Sequence, residues 1–458
     1  MLPGDRVTRV PKVVVGTSAV ALILAATRWG SYIGVSPVFL TDVLLFLGLA
    51  QWFLLRQRNG QAPRDLFVAR DRPGLPLTLF FCYVLTRIVV ALAQDVSIGD
   101  WVRDSAPFLY SFLAFVSAAS IARSTKLARD RSARVFMVAL TAHLVWATFS
   151  IFTRFAGFPL AGGAAAVFQI RPDIDMAVLG IGSGMFLLRA FRTKKRFWPI
   201  VAIFISLADV LSLQSRAGLL SVVASLLVAY LIFYAGTPAR SGRRLFSQML
   251  VPLALAAAIV VLPQTGPGQR LVATIDSSSA TTAQQLSAQG TEQARRLVWT
   301  RVIEWTNETP SRQIFGSGFG NDFLSESGTL SYLEGTTYEN VRSPHNYFIG
   351  IYARMGLVGV FLVGGVILSL VLTVFRRLRV AAEDDVIAIA SLIVLAILPV
   401  ASLGVVLEAP FGAVPFWWAA GIVLTTAPQR QSALDSHKRR ALPLPRSTGD
   451  FDSAVIIE

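Results

Sequence analysis

The feature that most constrains this chain is a succession of apolar stretches, each near the roughly 20 residues that a helix needs to cross a bilayer. They fall at about 13–27, 38–55, 75–94, 105–122, 135–153, 174–191, 197–213, 217–235, 248–263, 356–375, 386–407 and 412–427. In hydrocarbon every backbone N–H and C=O must find a partner, which open chain cannot supply, so stretches of this length fold as helices. The expected fold class is all-α, a polytopic integral membrane protein with about 12 transmembrane helices. Composition excludes the soluble alternatives: 54% of the 458 residues are hydrophobic, 15% are charged and 30 are Phe, whereas soluble chains carry about 25% charged residues. The first stretch, behind Arg6, Arg9 and Lys12, has the look of a signal peptide, but the spans that follow it make a retained anchor the better reading.

A net charge of +15 in a soluble protein would point to nucleic acid. Here its placement explains it. With both termini cytoplasmic, roughly two thirds of the 42 Lys and Arg fall on the inside, including the run Arg192, Lys194, Lys195 and Arg196. The charge then encodes topology and contact with anionic membrane lipids, and no nucleic-acid partner is required. A single cysteine, Cys82, excludes an intrachain disulfide and any thiolate metal cluster.

The chain divides into spans 1–9 over residues 1–263, an extracytoplasmic loop over 264–345, an interfacial segment with spans 10–12 over 346–427, and a cytoplasmic tail over 428–458 whose composition cannot build a core. The loop between spans 9 and 10 is about 80 residues long, and loops of that size are usually functional. It has a Ser/Thr/Ala/Gln stretch at 277–289, read as mobile. An amphipathic helix follows from about Thr291 to Asn307, with Leu297, Trp299, Val302, Ile303 and Trp305 as its apolar side along the membrane surface.

Outer arginines require explanation because the inside is where cations normally concentrate. Arg171, Arg216, Arg295, Arg296, Arg301, Arg312 and Arg342 have few neighbouring carboxylates in sequence. Arg216, in Ser215-Arg216-Ala217-Gly218, sits on a tight turn between spans 7 and 8, where its planar fork of donors suits a phosphate or diphosphate. Snorkelling to headgroups explains any one such arginine better than it explains the group. Of three histidines, His437 lies in the tail and His143 inside span 5, where a hydrogen-bonded structural role is expected. His345, in Ser343-Pro344-His345-Asn346-Tyr347, closes the long loop beside the arginines and is the candidate general base. Glu408 is placed to pair with an arginine or to orient His345. Asp173-Ile174-Asp175 has the spacing of a metal-binding pair, but on the outer side, where nucleotide donors are not supplied; no metal is expected. Glu383, Asp384 and Asp385 read as helix N-terminal charges.

In order along the chain these pieces resemble the O-antigen ligase and polymerase superfamily of bacterial membrane glycosyltransferases. The resemblance rests on Ser215 to Gly218, Arg295-x-x-x-Trp299, Gly316-x-Gly318, His345-Asn346 and Gly356-x-x-Gly359, and covers roughly 214–375. It implies inverting, metal-independent transfer of a glycan from a polyprenyl (undecaprenyl) diphosphate carrier to a glycan, lipid or protein acceptor hydroxyl, at the outer face of the bacterial cytoplasmic membrane and without a cofactor. In that scheme Arg216, Arg295, Arg171 and Arg296 hold the diphosphate, His345 is the base, and Asn346, Trp299 and Glu408 support it. The doubled Arg295-Arg296 leaves open which arginine faces the donor, and the register to Trp299 favours Arg295. Ligase-type transfer is the leading expectation because one outer loop dominates. A repeat-unit polymerase of the same superfamily and a transporter or flippase of lipid-linked glycans are the alternatives.

Overall fold

The computed structural model describes residues 14–27, 33–35, 38–58, 74–122, 124–159, 166–238, 242, 264–266, 268–269, 283–332 and 342–425. The fold is all-helical apart from two short antiparallel pairs, β1 (Gly34–Val35) with β2 (Val38–Phe39) and β3 (Phe158–Pro159) with β4 (Ala166–Val167). The first helices are α1 (Val14–Ala26), α2 (Leu40–Arg58), α3 (Leu75–Leu92), α4 (Ile98–Leu109), α5 (Phe112–Ala122), α6 (Lys126–Thr153), α7 (Pro172–Arg192), α8 (Phe197–Ser212) and α9 (Arg216–Gly236). After them come α10 (Ala283–Asn307), α11 (Pro310–Phe315), α12 (Phe323–Glu326), α13 (Tyr347–Arg376), α14 (Leu378–Glu383), α15 (Asp385–Ser402) and α16 (Pro410–Leu424).

Helices lie over eleven of the twelve expected stretches; the ninth, 248–263, and the tail, 428–458, fall outside the described residues. Among the described residues, seven helical segments are long and apolar enough to cross a membrane, one of them α4–α5 taken together, while α8 and α16 are shorter apolar helices. The protein is a polytopic, predominantly helical membrane protein.

Local chemistry sets the helix ends. Ser97, Thr125 and Ser215 are N-caps whose hydroxyls accept from the N–H of Asp100, Ala128 and Gly218, and α7, α11 and α16 open on Pro172, Pro310 and Pro410, where the missing N–H costs nothing. Asp384 caps α15 as expected of an N-terminal charge, accepting from Val386 N and Ile387 N. It also pairs with Arg129 at 2.6 Å, and Arg192 pairs with Asp385. These ion pairs gather the start of α6, the end of α7 and the start of α15 at one end of the bundle, so the starts of α7 and α9 and the finish of α15 lie at the other.

At the centre run α7 and α15, with 83% and 72% of their apolar stretches buried, against 28% for α13 at the periphery. The α7–α9 contact is close because it is built on small residues: a Cβ on Gly180 would stand 2.9 Å from Val222 Cα. His143 has the structural role expected of it, its Nδ1 lying 2.7 Å from Ala25 O.

The loop layer departs from expectation in two ways. First, α10 begins at Ala283, within the stretch read as mobile, because Ala, Gln and Leu there are good helix formers. Second, its buried face is Val298, Val302 and Trp305, packed with Phe323, Leu324 and Ala353, whereas Leu297 and Ile303 are exposed. The helix therefore docks its main apolar stripe on protein.

Candidate functional site

Two helix starts, side by side at one end of the bundle, carry the first arginines. Arg171 is the N-cap of α7, its N–H donating to Asp175 Oδ2 at 2.6 Å, and Arg216 is the first residue of α9. A Cβ on Gly218 would lie 2.6 Å from that of Met176, which fixes the two starts as neighbours. The positive ends of the two helix dipoles add to the potential of the two guanidiniums. Asp175 is committed to this cap and lies 3.8 Å from His143 Nε2, a position unlike that of one half of a metal-binding pair.

The long loop brings the remaining residues to the same end. Arg295, half-buried on α10, donates from Nη1 to Leu403 O at 3.0 Å, just beyond α15; its neighbour Arg296 is exposed. The next residue, Gly404, lies beside the Asp173 carboxylate, whose Oδ2 would be 3.9 Å from a Cβ there.

His345 is clamped from both sides in sequence. Trp299 Nε1 donates to Pro344 O at 2.7 Å, and Asn346 Oδ1 caps α13 by accepting from Phe348 N and Ile349 N at 3.0 and 3.3 Å. Between these anchors His345 has φ 54°, a left-handed conformation that a non-glycine residue keeps only where its surroundings enforce it, and one that clusters at functional sites. Burial, reinforced by Arg295 and opposed by Asp173, lowers its pKa to about 4. The imidazole is thus neutral near pH 7 and able to accept a proton.

His345 lines a cavity of about 260 Å³ with Arg103, Asp104, Pro107, Phe108, Arg342, Ser343, Arg354, Val405 and Glu408. An ion-pair network forms its wall. Arg342 meets Asp104 at 3.0 Å, Asp322 at 3.2 Å and Asp100 at 3.6 Å, while Arg354 meets Glu408 at 3.4 Å and Asp104 at 3.6 Å. Burial opposes the charge on Arg342, but the three aspartates more than offset it and raise its pKa. Burial also pushes the Glu408 carboxyl up, against the pull of Arg354.

A broken helix holds this network in place. Within α13, Gly356 takes φ 64° and ψ −164°, which interrupts the helix and frees the carbonyls before it. The Gly316-Ser317-Gly318 turn pairs with them: Ser317 N donates to Ala353 O at 2.8 Å and Gly318 N to Arg354 O at 3.0 Å. Tyr83 Oη donates to Met355 O at 2.9 Å, and Arg87 Nη2 to Gly316 O at 3.2 Å. Interrupted helices are tolerated at membrane depth only with such replacement partners. The glycines of the two motifs thus face each other, which their separation in sequence conceals.

Residues 200–364, which hold Arg216, Arg295, the glycine turn, His345 and Gly356, match a family described as O-antigen ligase. The match takes in about a third of the chain, and over that segment the protein is similar to the O-antigen ligase family. That likeness supports, in general terms, glycosyltransferase activity of the ligase and polymerase type. No curated protein matches the chain.

The structure redistributes the outer arginines. Arg301 pairs with Glu304 on its own helix at 3.4 Å, Arg312 with Glu308 in the turn before α11 at 2.9 Å, and Arg342 has its three aspartates, so these three find their anions within the chain. Glu408 pairs with Arg354, one of the two roles open to it from sequence. Sequence reasoning missed Arg354, Asp104 and Phe108. Arg354 had a signal: a lone cation within an apolar stretch, which in a membrane protein is expensive unless paired. Asp104 comes from outside the O-antigen ligase segment, and only the fold brings it near.

Proposed function

We propose that the protein transfers a glycan from a polyprenyl diphosphate carrier to an acceptor hydroxyl, at the outer face of the cytoplasmic membrane. The observation that carries this reading is His345: neutral, half-buried, held in a left-handed conformation, and set between Arg295 and a polar cavity. The diphosphate is held by Arg295 with Arg216 and Arg171, whose helix starts lend their dipoles, and Arg296 stands at the exposed edge of this group. The acceptor oxygen attacks the anomeric carbon as its proton passes to the His345 imidazole. The bond from that carbon to the phosphate oxygen breaks, and the carrier diphosphate leaves with the electron pair. One displacement inverts the anomeric configuration. The leaving diphosphate needs no proton, because the guanidiniums stabilise its charge. Trp299 and Asn346 act by holding the backbone on either side of His345.

The test uses purified protein in liposomes with a short polyprenyl diphosphate oligosaccharide, a panel of glycan, lipid and peptide acceptors, and EDTA throughout. The expected result is carrier diphosphate release that depends on one acceptor class. Acceptance by the non-reducing end of a second donor identifies a polymerase. Passage of the intact donor across the bilayer, with no release, identifies a transporter and overturns the proposal.

A further inference from the structure

The two carboxylates of Asp173-Ile174-Asp175 take no part in the transfer described above. Two residues apart on a helix of 3.6 residues per turn, they point about 200° away from each other and meet different surroundings. Asp175 turns into the bundle, where its side chain is fully buried and accepts from Arg171 N at 2.6 Å. Asp173 is half-buried in the first turn of α7 and faces the turn of Leu403 and Gly404, the same turn that binds Arg295 through Leu403 O. Among the described residues its carboxylate has no ion-pair or hydrogen-bond partner. The helix dipole favours an aspartate at that point, but its charge opposes a diphosphate held by Arg171, Arg216 and Arg295.

The same charge has a use one step later. The charged groups around His345 are Arg295 on α10, Asp173 on α7, Arg103 and Asp104 on α4, Arg342 in the loop, Arg354 on α13 and Glu408 after α15. Asp104 is bound to Arg342 and Arg354, Glu408 to Arg354, and Arg103 to Asp100. Arg295 disfavours an imidazolium at His345 and Asp173 favours it. A neutral imidazole gains little from a carboxylate, whereas an imidazolium is attracted to it, and an interaction that strengthens on the way to the transition state raises kcat. The charge that gathers on the leaving diphosphate is met by three guanidiniums, so Asp173 is the group that answers the charge on His345.

We infer that Asp173 is a positioning residue for the transfer step: from the start of α7 its carboxylate stabilises the imidazolium that His345 becomes on taking the acceptor proton, at the expense of donor affinity. Asp173 takes no proton itself; the proton stays on His345 until the product leaves and then passes to water. The inference rests on the transferase reading for that step.

Two readouts test it. The first needs no turnover: the His345 imidazole is titrated by NMR in histidine-labelled full-length protein, with its signal assigned by its loss in His345→Ala. At pH 4, where about half of the wild-type imidazole is protonated, about a tenth should be protonated in Asp173→Asn, with Asp173→Glu returning toward wild type. The second is single-turnover release of carrier diphosphate at pH 7, with donor affinity measured on the same preparations. Asp173→Asn should release about tenfold more slowly while binding donor at least as tightly as wild type, a split that a merely structural role at the start of α7 does not produce. An unchanged protonated fraction in Asp173→Asn overturns the inference whatever the turnover, and so does weaker donor binding with release unchanged. A lowered fraction, with no release by wild type to any acceptor, sinks the transferase reading and leaves the placement of Asp173 beside His345 supported.

Discussion

Gly356→Ala probes the joint on which the whole site is mounted. At φ 64° and ψ −164° the backbone occupies a region that is essentially glycine-only, at a cost of about 1–3 kcal/mol for any other residue. Space is lacking as well: the new Cβ would stand 2.3 Å from Ile314 O, 2.4 Å from Ile314 C and 2.5 Å from Phe315 N, all of them backbone. Relieving that overlap means moving the turn away by about 1 Å, since carbon contacts are optimal at about 3.5–4.0 Å. The bonds from Ser317 N to Ala353 O and from Gly318 N to Arg354 O then break, at about 1–3 kcal/mol for each buried group left unpaired. Together these make a destabilisation of about 3–9 kcal/mol. Gly365→Ala in the same helix is the control: a Cβ there meets no heavy atom within 4 Å among the described residues, and helix propensity favours the alanine by about 0.5–1 kcal/mol. Thermal unfolding in detergent should separate the two variants clearly, with fast amide exchange at Ser317 and Gly318 in Gly356→Ala only. Equal melting of the two, with slow exchange kept at both amides, would refute the reasoning.

Two further outcomes follow from the electrostatics. Asp104→Asn removes the carboxylate between Arg342 and Arg354, whose side chains are 16% and 4% exposed; breaking a buried pair costs about 3–5 kcal/mol, and chemical denaturation should show a loss of that order, whereas an unchanged midpoint would mean the network carries no stability. For pH, a lowered imidazole pKa keeps the base form populated down to about pH 4, so the acid limb of kcat/KM, which reports free enzyme, should lie near there. Bound diphosphate offsets the charge of Arg295, one cause of the lowering, so the limb of kcat should sit at higher pH; a common limb at the ordinary histidine value of about 6.5 would contradict the placement of His345.

Much of the scaffold was legible because lipid leaves few choices: long apolar stretches must be helices, and Asp384 caps a helix start as its charge led one to expect. His345 and Arg295 could be named from sequence as candidates, as polar residues of the long outer loop. What sequence could not supply is the pairing between distant segments. Asp104 and Arg342 are 238 residues apart, and their contact depends on how α4 packs beneath the loop. The arginine count misled for a related reason, since aspartates far along the chain neutralise Arg342 as well as neighbours would. The face of α10 was misjudged because its apolar residues outnumber those that its packing partners can cover, and periodicity alone does not choose among them.

The central claim is that His345 takes the acceptor proton while the arginines hold the donor. Its most direct test is single-turnover release of carrier diphosphate by wild type and His345→Ala, with donor affinity measured on the same preparations. The account predicts a loss of about 10²- to 10⁴-fold in release with donor affinity retained. Release at the wild-type rate by His345→Ala would contradict it.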